Sequence, residues 1–427
     1  MTTGDGVVLV GSGISALSTA RALRAHGYAG PITMLAREAV AIYDRPALSK
    51  SFLADDQTGP ESLLAPEPTL GELDVVVHPS TEVERIDLAC RTVHAGPRAW
   101  GYEWLVVATG ARARRIDPGP DDAGHVHHLR ELPDARRLRT SLSRGTRLGI
   151  IGAGLIGLEV AAAARDRGLS VTVIEAADVP LSRVAPPAIG RRIAVAYETS
   201  GVRVRTGSRI ARTLGPPGGV EGIELTSGEI VAADVILACV GSEPNDRLAR
   251  AAGLGTDRGV VVDEHMRTSD DRVFAVGDVA RVRPGGIAHA DDGARGESWR
   301  TAKNQGERAA LAILGRGSPA PDVPWMWSDL GTIHFQAAGA GPAEQLIVRG
   351  DLADRHGACF VGVTSGRVSW VGGAGFGGAV ARLVRSGQGL VEAAARVPVD
   401  TLTAAPDATA LTAALVGAYR SARRSAA

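Results

Sequence analysis

VVLVGSGISA (Val7–Ala16) and LGIIGAGLIG (Leu148–Gly157) are two copies of one pattern, in which a short apolar run leads into closely spaced glycines. A helical pattern follows each copy, and a second apolar run comes next, at Ile32–Leu35 and at Val171–Ile174. Continuous apolar runs are typical of parallel strands that are buried on both faces, so each copy predicts a strand–helix–strand unit. The sequence therefore indicates an α/β protein with two Rossmann-like units in one chain.

The glycines of these two turns are candidates for binding dinucleotides. A glycine pair between a strand and a helix lets the backbone approach a pyrophosphate, and the helix N-terminus offers free N–H groups to the anion. One such turn alone could be an ordinary tight turn, but both copies stand between a buried strand and an amphipathic helix, as the fingerprint requires. The predicted binding residues are Gly11, Gly13 and Ala16 in the first copy and Gly152, Gly154, Ile156 and Gly157 in the second.

Glu175 ends the second strand of the second copy, 23 residues after Gly152. A carboxylate at this position can accept hydrogen bonds from both ribose hydroxyls and would repel a 2′-phosphate. The next residues, Ala176–Asp178, include no arginine that could hold a phosphate, so the second site is predicted to bind NADH rather than NADPH. An exposed glutamate at a strand end, without a ligand, is the alternative interpretation.

The first copy is less regular after its second strand. The expected acidic position falls within Ala36-Arg37-Glu38, so either Glu38 holds the ribose or this part of the site has been rebuilt.

The composition of the chain argues against several classes of function. Lys plus Arg and Asp plus Glu both number 47, so no global field attracts nucleic acid or an anionic membrane. The three cysteines, Cys90, Cys239 and Cys359, are far apart and form no CxxC, which argues against a disulfide framework or an iron–sulfur cluster. With no leader pattern and no long uncharged apolar stretch, we expect a cytoplasmic protein outside the membrane.

Lysines are unusually few in this chain, and three histidines are clustered. The chain has 45 arginines and only two lysines, Lys50 and Lys303, and a lysine retained in such a chain hints at a site that needs a compact ammonium group. His125, His127 and His128 are clustered, but they fall in a predicted crossover between domains, and no metal site is predicted there.

Strands from distant parts of the chain are expected to share sheets. Trp104–Ala108, Val235–Val240 and Val273–Val276 are strand candidates that each run into a glycine-containing turn. Ser318–Pro324 predicts a linker, and the pattern beyond it becomes antiparallel, with an Ala-rich helical tail at the end. The predicted domains are residues 1–113 with 241–320, residues 114–240, and a C-terminal α+β domain at residues 321–427.

Five further segments carry a resemblance to a known family: YDRPALSK (Tyr43–Lys50), ATG (Ala108–Gly110), VFAVGDVA (Val273–Ala280), RGESWRTA (Arg295–Ala302) with Gln305, and PWMWSD (Pro324–Asp329). In this order they resemble the FAD-containing, NADH-dependent ferredoxin and rubredoxin reductases of the putidaredoxin reductase type. The resemblance runs from Val7 to about residue 400. It implies an FAD domain interrupted by an NAD domain, followed by an α+β domain.

The resemblance also implies the catalytic residues. It pairs Lys50 with Glu159 beside N5 of the flavin, places Asp278 on the ribityl chain, and makes Trp327 a shield of the flavin. A surface lysine and a helix-dipole carboxylate are the alternative interpretations of Lys50 and Glu159. The helix that begins near Trp299 would point its N-terminus at the flavin, where a positive helix end stabilises negative charge by up to ~2 kcal/mol.

Other implied contacts are weaker, because each also fits an ordinary structural role. They are Val83, Ala108, Thr109, Gly110, Arg130 and Thr301 for FAD, and Arg183 and Gly241 for NAD. The chain departs from the family pattern at three places. Arg37 stands where an acidic residue is usual, Ala47 replaces the second proline, and Leu330-Gly331 replaces the usual Gln-Tyr.

Since no cysteine pair is available, the flavin is expected to pass electrons directly to an external acceptor. The resemblance implies a small iron–sulfur ferredoxin that feeds a cytochrome P-450-type or Rieske oxygenase. A rubredoxin, a quinone or monodehydroascorbate as acceptor, and an NADH-responsive binding protein of the apoptosis-inducing-factor kind, stay open, as does a monomer or homodimer. The candidate docking charges for an acidic ferredoxin are Arg295, Arg300, Lys303, Arg308 and the tail Arg420–Arg424.

Overall fold

The computed structural model describes residues 6–39, 42–54, 63–65, 67–116, 126–215, 219–283, 296–317, 323–339, 343–354, 356–376 and 378–426. The chain forms two compact units. The first contains Met1–Asp44, Glu61–Arg112 and Ser242–Pro324, and the second contains Arg45–Pro60, Ala113–Gly241 and Trp325–Ala427. Most of the predicted linker Ser318–Pro324 lies outside the described residues, and the predicted three-domain division stays a prediction.

A five-stranded parallel sheet forms the centre of the first unit. Its spatial order is Val273–Ala275, Trp104–Val107, Val7–Val10, Ile32–Leu35 and Val75–His78. All four neighbouring pairs are parallel. The first four of these strands were predicted from the sequence and contribute most of their side chains to one core, whereas Val75–His78 is a partly exposed strand that was not predicted. Two helices of this unit, Ile14–Ala25 and Trp299–Ile313, pack against each other.

Shorter elements complete the first unit. The strands are Ile42–Tyr43, Leu63–Ala65, Arg85–Asp87, Thr92–Ala95, Arg98–Gly101, Ser242–Pro244, Val260–Val262 and Ala280–Val282. The helices are Glu67–Glu72, Arg247–Ala251 and the 3-10 turn Gly277–Val279. The strand Ala111–Ala113 crosses the boundary between the two units.

The second unit repeats the parallel architecture. Its sheet order is Val126–His128, Val235–Ala238, Arg147–Ile151, Ser170–Ile174 and Arg203–Arg205. A three-stranded antiparallel sheet of Ile210–Leu214, Gly222–Leu225 and Ile230–Ala232 accompanies it. The helices are Leu132–Ser141, Leu155–Asp166, Pro187–Thr199, Ser51–Ala54 and the 3-10 helix Arg45–Ser49.

The C-terminal part of the second unit is an antiparallel sheet with helices. The strand order is Trp325–Leu330, Ile333–Gly339, Arg367–Gly375, Ala358–Thr364 and Gln345–Arg349. The helices Ala379–Glu392, Val399–Ala404 and Ala408–Ala426 follow. The predicted fold class, with two Rossmann-like sheets and a C-terminal α+β part, is confirmed. No helix among the described residues is both long and apolar enough to cross a membrane.

Candidate active site

The first glycine turn lies where the backbone leaves the central strand Val7–Val10. Gly11 has φ +117°, and a Cβ atom there would lie 2.2 Å from the carbonyl oxygen of Ala108. Gly13 is the N-cap of the helix Ile14–Ala25, no side chain caps this helix, and nothing lies within 4 Å of the place of a Gly13 Cβ. No capping side chain therefore occupies the first N–H groups of the helix, and an anion could accept hydrogen bonds from them.

Glu38 supplies the carboxylate at the end of the next strand. It is half-buried and accepts a hydrogen bond from the Tyr43 hydroxyl at 2.5 Å, whereas Arg37 is exposed. The Glu38 carboxylate is thus held at the irregular ribose position by a local hydrogen bond. Val83 is half-buried in the same unit, and Ala16 is fully buried.

The segment Ala108–Gly110 is held by a residue that sequence reasoning missed. The amide nitrogen Nδ2 of Asn245 donates to the carbonyl of Thr109 at 2.9 Å, and the Thr109 hydroxyl donates to the carbonyl of Asn245 at 2.9 Å. This reciprocal pair joins two chain segments 136 residues apart. It fixes the turn after Trp104–Val107, next to Gly11.

The Gly277–Asp278 turn and the helix Trp299–Ile313 form another part of the first unit. The N–H of Gly277 donates to Oε1 of buried Gln305 at 2.7 Å, and the Ser298 hydroxyl caps the helix by accepting from the N–H of Thr301 at 3.2 Å. Asp278 is half-buried in the turn. The indole Nε1 of Trp299 is buried without a hydrogen-bond partner, and a bound group with an acceptor would satisfy it.

The second glycine turn has the same geometry as the first. Gly152 has φ +103°, and a Cβ atom there would lie 2.4 Å from the carbonyl oxygen of Cys239. Gly154 is the N-cap of the helix Leu155–Asp166, again with no capping side chain and with open space at its Cβ position. A Cβ atom on Gly157 would lie 2.1 Å from the carbonyl oxygen of Gly152, so the helix can approach the turn only with glycine there.

Glu175 is fixed beside this second turn. Its Oε2 accepts from the N–H of Ala153 at 2.7 Å, and its Oε1 accepts from the N–H of Ala177 at 2.8 Å. The carboxylate therefore stands at the glycine turn in a set orientation, as a ribose acceptor requires. Ile156 is 41% exposed, and Arg183 Nη1 lies 3.5 Å from the Cβ position of Gly241, which brings two predicted NAD contacts together.

Lys50 and Glu159 form the predicted ion pair, with Lys50 Nζ 2.8 Å from Oε1 of Glu159. The carboxylate is buried, with 6% exposure, and the ammonium group also lies over the ring of Trp327, 4.8 Å from its centroid. The hydroxyls of Ser49 and Ser328 donate to the same carboxylate, which the sequence did not reveal. Two distant segments of the second unit thus converge on one buried charge.

Two arginines fix the short helix that follows Lys50. Arg167 donates from Nη1 to the carbonyl of Leu53 at 3.0 Å, and the guanidinium of Arg139 lies 4.0 Å from the ring centroid of Phe52. Cations at the C-terminal end of a helix satisfy its free carbonyls and its dipole. The backbone at Lys50 is therefore anchored, although four residues make a marginal helix on their own.

One of the predicted docking residues, Arg308, is buried. Arg308 is only 5% exposed and donates from Nη1 to the carbonyl of Glu264 at 3.4 Å, because its helix face points into the first unit. It is not a surface charge. Lys303 and Arg300 are half-buried, Arg420, Arg423 and Arg424 are exposed on the last helix, and Arg295 lies outside the described residues.

The remaining predicted residues have defined places. Arg130 is half-buried and donates its backbone N–H to the Asp134 carboxylate. Gly331, one of the residues that depart from the family pattern, has φ +69° and lies in a tight turn. His127 and His128 lie in a strand, and His125 falls outside the described residues. Across the described part of the chain, no cluster of three potential metal ligands occurs.

Comparisons with known proteins agree with this geometry. Residues 5–306 match the family described as pyridine nucleotide-disulphide oxidoreductase. The chain is 40% identical over 352 residues to the biphenyl dioxygenase system ferredoxin–NAD(+) reductase component of Paraburkholderia xenovorans (strain LB400), which covers 81% of this chain and 84% of the relative. It is 37% identical to a rubredoxin–NAD(+) reductase of Pseudomonas putida, over 78% of this chain and 86% of the relative.

Solved structures give the same relationship. A chain in the crystal structure of the covalent putidaredoxin reductase–putidaredoxin complex superposes with a TM-score of 0.88 at 30% identity, covering 98% of this chain and 100% of that one. The ferredoxin reductase for the CYP199A2 system from Rhodopseudomonas palustris gives a TM-score of 0.82 at 30% identity, with 87% and 91% covered. With two open glycine turns and a buried lysine–glutamate pair in place, the chain belongs to the pyridine nucleotide-disulphide oxidoreductase family, in its group of ferredoxin and rubredoxin reductases.

Proposed function

We propose that this protein is an NADH-dependent flavoprotein that passes electrons from NADH, through bound FAD, to a small iron–sulfur ferredoxin that feeds an oxygenase. The observation that carries the proposal is the combination of two open glycine turns, one in each unit, with the buried Lys50–Glu159 ion pair. All three cysteines are free, so electrons leave without an internal disulfide.

The residues of the first unit fit FAD. Gly11 and Gly13 leave room for the pyrophosphate at an uncapped helix end, and Glu38 offers the ribose acceptor. Asp278 is assigned to the ribityl chain, and the orphaned Trp299 indole N–H provides a donor. When bound, FAD supplies hydride acceptance and one-electron transfer, which no side chain can provide.

The residues of the second unit fit NADH. The backbone of Gly152–Gly154 would bind the pyrophosphate, and the fixed Glu175 carboxylate would accept from the ribose hydroxyls. We assign Arg183 and Gly241 to the same nucleotide. The Lys50–Glu159 pair and Trp327 are assigned to the reacting end of the flavin, where the charge of Lys50 would orient the reacting groups.

A ferredoxin is the acceptor that we favour. The first relative is named as the ferredoxin reductase component of a dioxygenase system, and the last helix of this chain presents Arg420, Arg423 and Arg424 to solvent. An acidic ferredoxin would be attracted to such a cluster. A rubredoxin is the second candidate, because another relative is named as a rubredoxin reductase. Free cysteines fit a reducing compartment, and we place the reaction in the cytoplasm.

The visible spectrum of the purified protein is the first test, followed by anaerobic titration with NADH and with NADPH. We expect a flavin spectrum that NADH bleaches at stoichiometric amounts and NADPH does not. A colourless protein that takes up no added FAD would refute the proposal.

The acceptor is tested separately, with a ferredoxin, a rubredoxin, a quinone and monodehydroascorbate at equal concentrations. The triple variant Arg420→Gln/Arg423→Gln/Arg424→Gln should raise the KM for ferredoxin and flatten its salt dependence. Its matched control, Arg91→Gln/Arg203→Gln/Arg258→Gln, removes three exposed charges elsewhere and should change neither. Fast flavin reduction with slow reoxidation by every acceptor would instead favour a binding protein that responds to NADH.

A further inference from the structure

The carboxylate of Glu159 has more donors than its lysine partner. It is 6% exposed on the helix Leu155–Asp166, and a buried carboxylate is costly unless its oxygens are paired or hydrogen-bonded. Lys50 Nζ and the Ser328 hydroxyl both contact Oε1, at 2.8 Å and 2.5 Å, and the Ser49 hydroxyl contacts Oε2. Both oxygens are therefore bonded, so the plane of the carboxylate is fixed.

The two serines come from separate elements. Ser49 is the last residue of the 3-10 helix Arg45–Ser49, directly before Lys50, and it is 4% exposed. Ser328 lies on the strand Trp325–Leu330, directly after Trp327, and it is 1% exposed. The arrangement therefore links the strand and the 3-10 helix to one helix residue.

Two other ionisable groups that interact with Glu159, Cys239 and Tyr197, do not offset its charge. Burial raises the pKa of the Cys239 thiol to about 12, and the charge of Glu159 adds to that shift. Burial also raises the pKa of the Tyr197 phenol above its ordinary range. Both groups are neutral at physiological pH. Among the described contacts, Lys50 supplies the positive charge, and the two hydroxyls supply the remaining hydrogen bonds.

We propose that Ser49 and Ser328 are positioning residues that fix the Glu159 carboxylate, and through it the Lys50 ammonium, in the orientation used for hydride transfer. This role rests on the proposed function. Neither serine needs to touch a nucleotide. Each acts through the carboxylate, and Lys50 is held between that carboxylate and the ring of Trp327.

The small number of lysines makes the proposal directly measurable. The flavin-loaded protein is labelled with trace acetic anhydride, and mass spectrometry gives the acylation of Lys50 relative to Lys303, the other lysine of the chain. A fixed ion pair protects Lys50, so Ser49→Ala and Ser328→Ala should each raise this ratio, by about tenfold for loss of a hydrogen bond to a charged group. Glu159→Gln should raise it further.

Two controls separate positioning from general damage. Ser328→Thr retains a hydroxyl and should keep the protected ratio, and Ser386→Ala removes another buried serine of the same unit and should leave the ratio unchanged. Equal acylation of Lys50 in the wild type and in both alanine variants would overturn the proposal. An increase in the acylation ratio that Ser328→Thr also shows would overturn it too. So would an increase that Ser386→Ala reproduces.

Stopped-flow reduction by NADH supplies the kinetic test. Ser49→Ala and Ser328→Ala should lower the limiting rate of flavin reduction by about tenfold and change the Kd for NADH less than twofold, because the lost bond orients rather than binds. A change confined to Kd would overturn the positioning role. If NADH fails to reduce even the wild-type flavin, the proposed function falls, whereas the acylation ratio still reports whether the serines hold the pair.

Discussion

Gly306 packs so closely against Ser15 that a Cβ atom at position 306 would lie 2.3 Å from the Ser15 carbonyl oxygen. The contact joins the helix Trp299–Ile313 to the helix Ile14–Ala25, which begins at the first glycine turn. Because the obstacle is backbone rather than a side-chain end, the helices must separate to admit any side chain.

Gly306→Ala should therefore destabilise the first unit by about 1–3 kcal/mol, the usual cost of overpacking. The measurement is the urea midpoint followed by flavin fluorescence. Gly417→Ala is the matched control, since nothing lies within 4 Å of that Cβ position on the last helix. It should be neutral or stabilising by up to ~1 kcal/mol. Equal midpoints for the two variants would contradict the helix contact.

Lys50→Met should leave the buried Glu159 charge without a cation. We expect a loss of about 2–3 kcal/mol in the free energy of unfolding, less than is usual for a broken buried pair because Lys50 is partly exposed. The double variant Lys50→Met/Glu159→Gln should recover most of that stability in urea unfolding, while flavin reduction by NADH stays slow. A double variant less stable than Lys50→Met would show that the unpaired Glu159 charge is not the cause of the lost stability.

Glu175→Gln should lower kcat/KM for NADH by about tenfold, because an ionised acceptor of ribose hydroxyls becomes a neutral one. The ratio of NADPH to NADH activity should rise, since repulsion of a 2′-phosphate is removed. Steady-state assays with ferricyanide as acceptor measure both. Glu198→Gln, an exposed substitution in the same unit, should leave the ratio unchanged. A wild type that uses NADPH as well as NADH would contradict the role of Glu175.

The cysteines should differ sharply in reactivity. Cys90 is exposed, whereas burial raises the pKa of the Cys239 and Cys359 thiols from 9.0 to about 12. Iodoacetamide at pH 8 should label Cys90 in the folded protein and leave the other two unmodified, as peptide mass spectrometry would show. Rapid labelling of Cys359 without unfolding would contradict its burial.

The same shifts predict how stability depends on alkaline pH. Between pH 9 and about pH 12 the unfolded chain has lost thiol protons that the folded chain still binds. The contribution of these groups to stability therefore falls as the pH rises through this window. Urea midpoints of Cys359→Ala and of the wild type should converge as pH increases over that range.

Much of the fold could be predicted from the sequence because its signals are local. The two glycine turns are set by short strands of four and five residues, by positive φ at Gly11 and Gly152, and by the helices that follow. These features depend on neighbours in sequence. The position of Glu175 at a strand end follows in the same way, and the pairing of Lys50 with Glu159 came from a family resemblance.

Other features were outside the reach of sequence reasoning. Arg308 has a charged side chain and a helical position that fits a surface, yet the helix face that carries it is buried. The Asn245 bonds to Thr109 join residues 136 apart, and no periodicity indicates such a partner. Hydrogen bonds between side chains and distant backbone leave no mark on the local pattern.

The sequence by itself determined where the two nucleotide turns lie and which strands carry them, since φ, strand length and apolar spacing are properties of short segments. Only the tertiary structure decided what surrounds Glu159: Ser49 and Ser328 lie 110 and 169 residues from it in the chain. A serine has no preference in sequence for a distant carboxylate. Its hydroxyl bonds there only because packing of a 3-10 helix and a strand against one helix excludes water and leaves the carboxylate as the available acceptor.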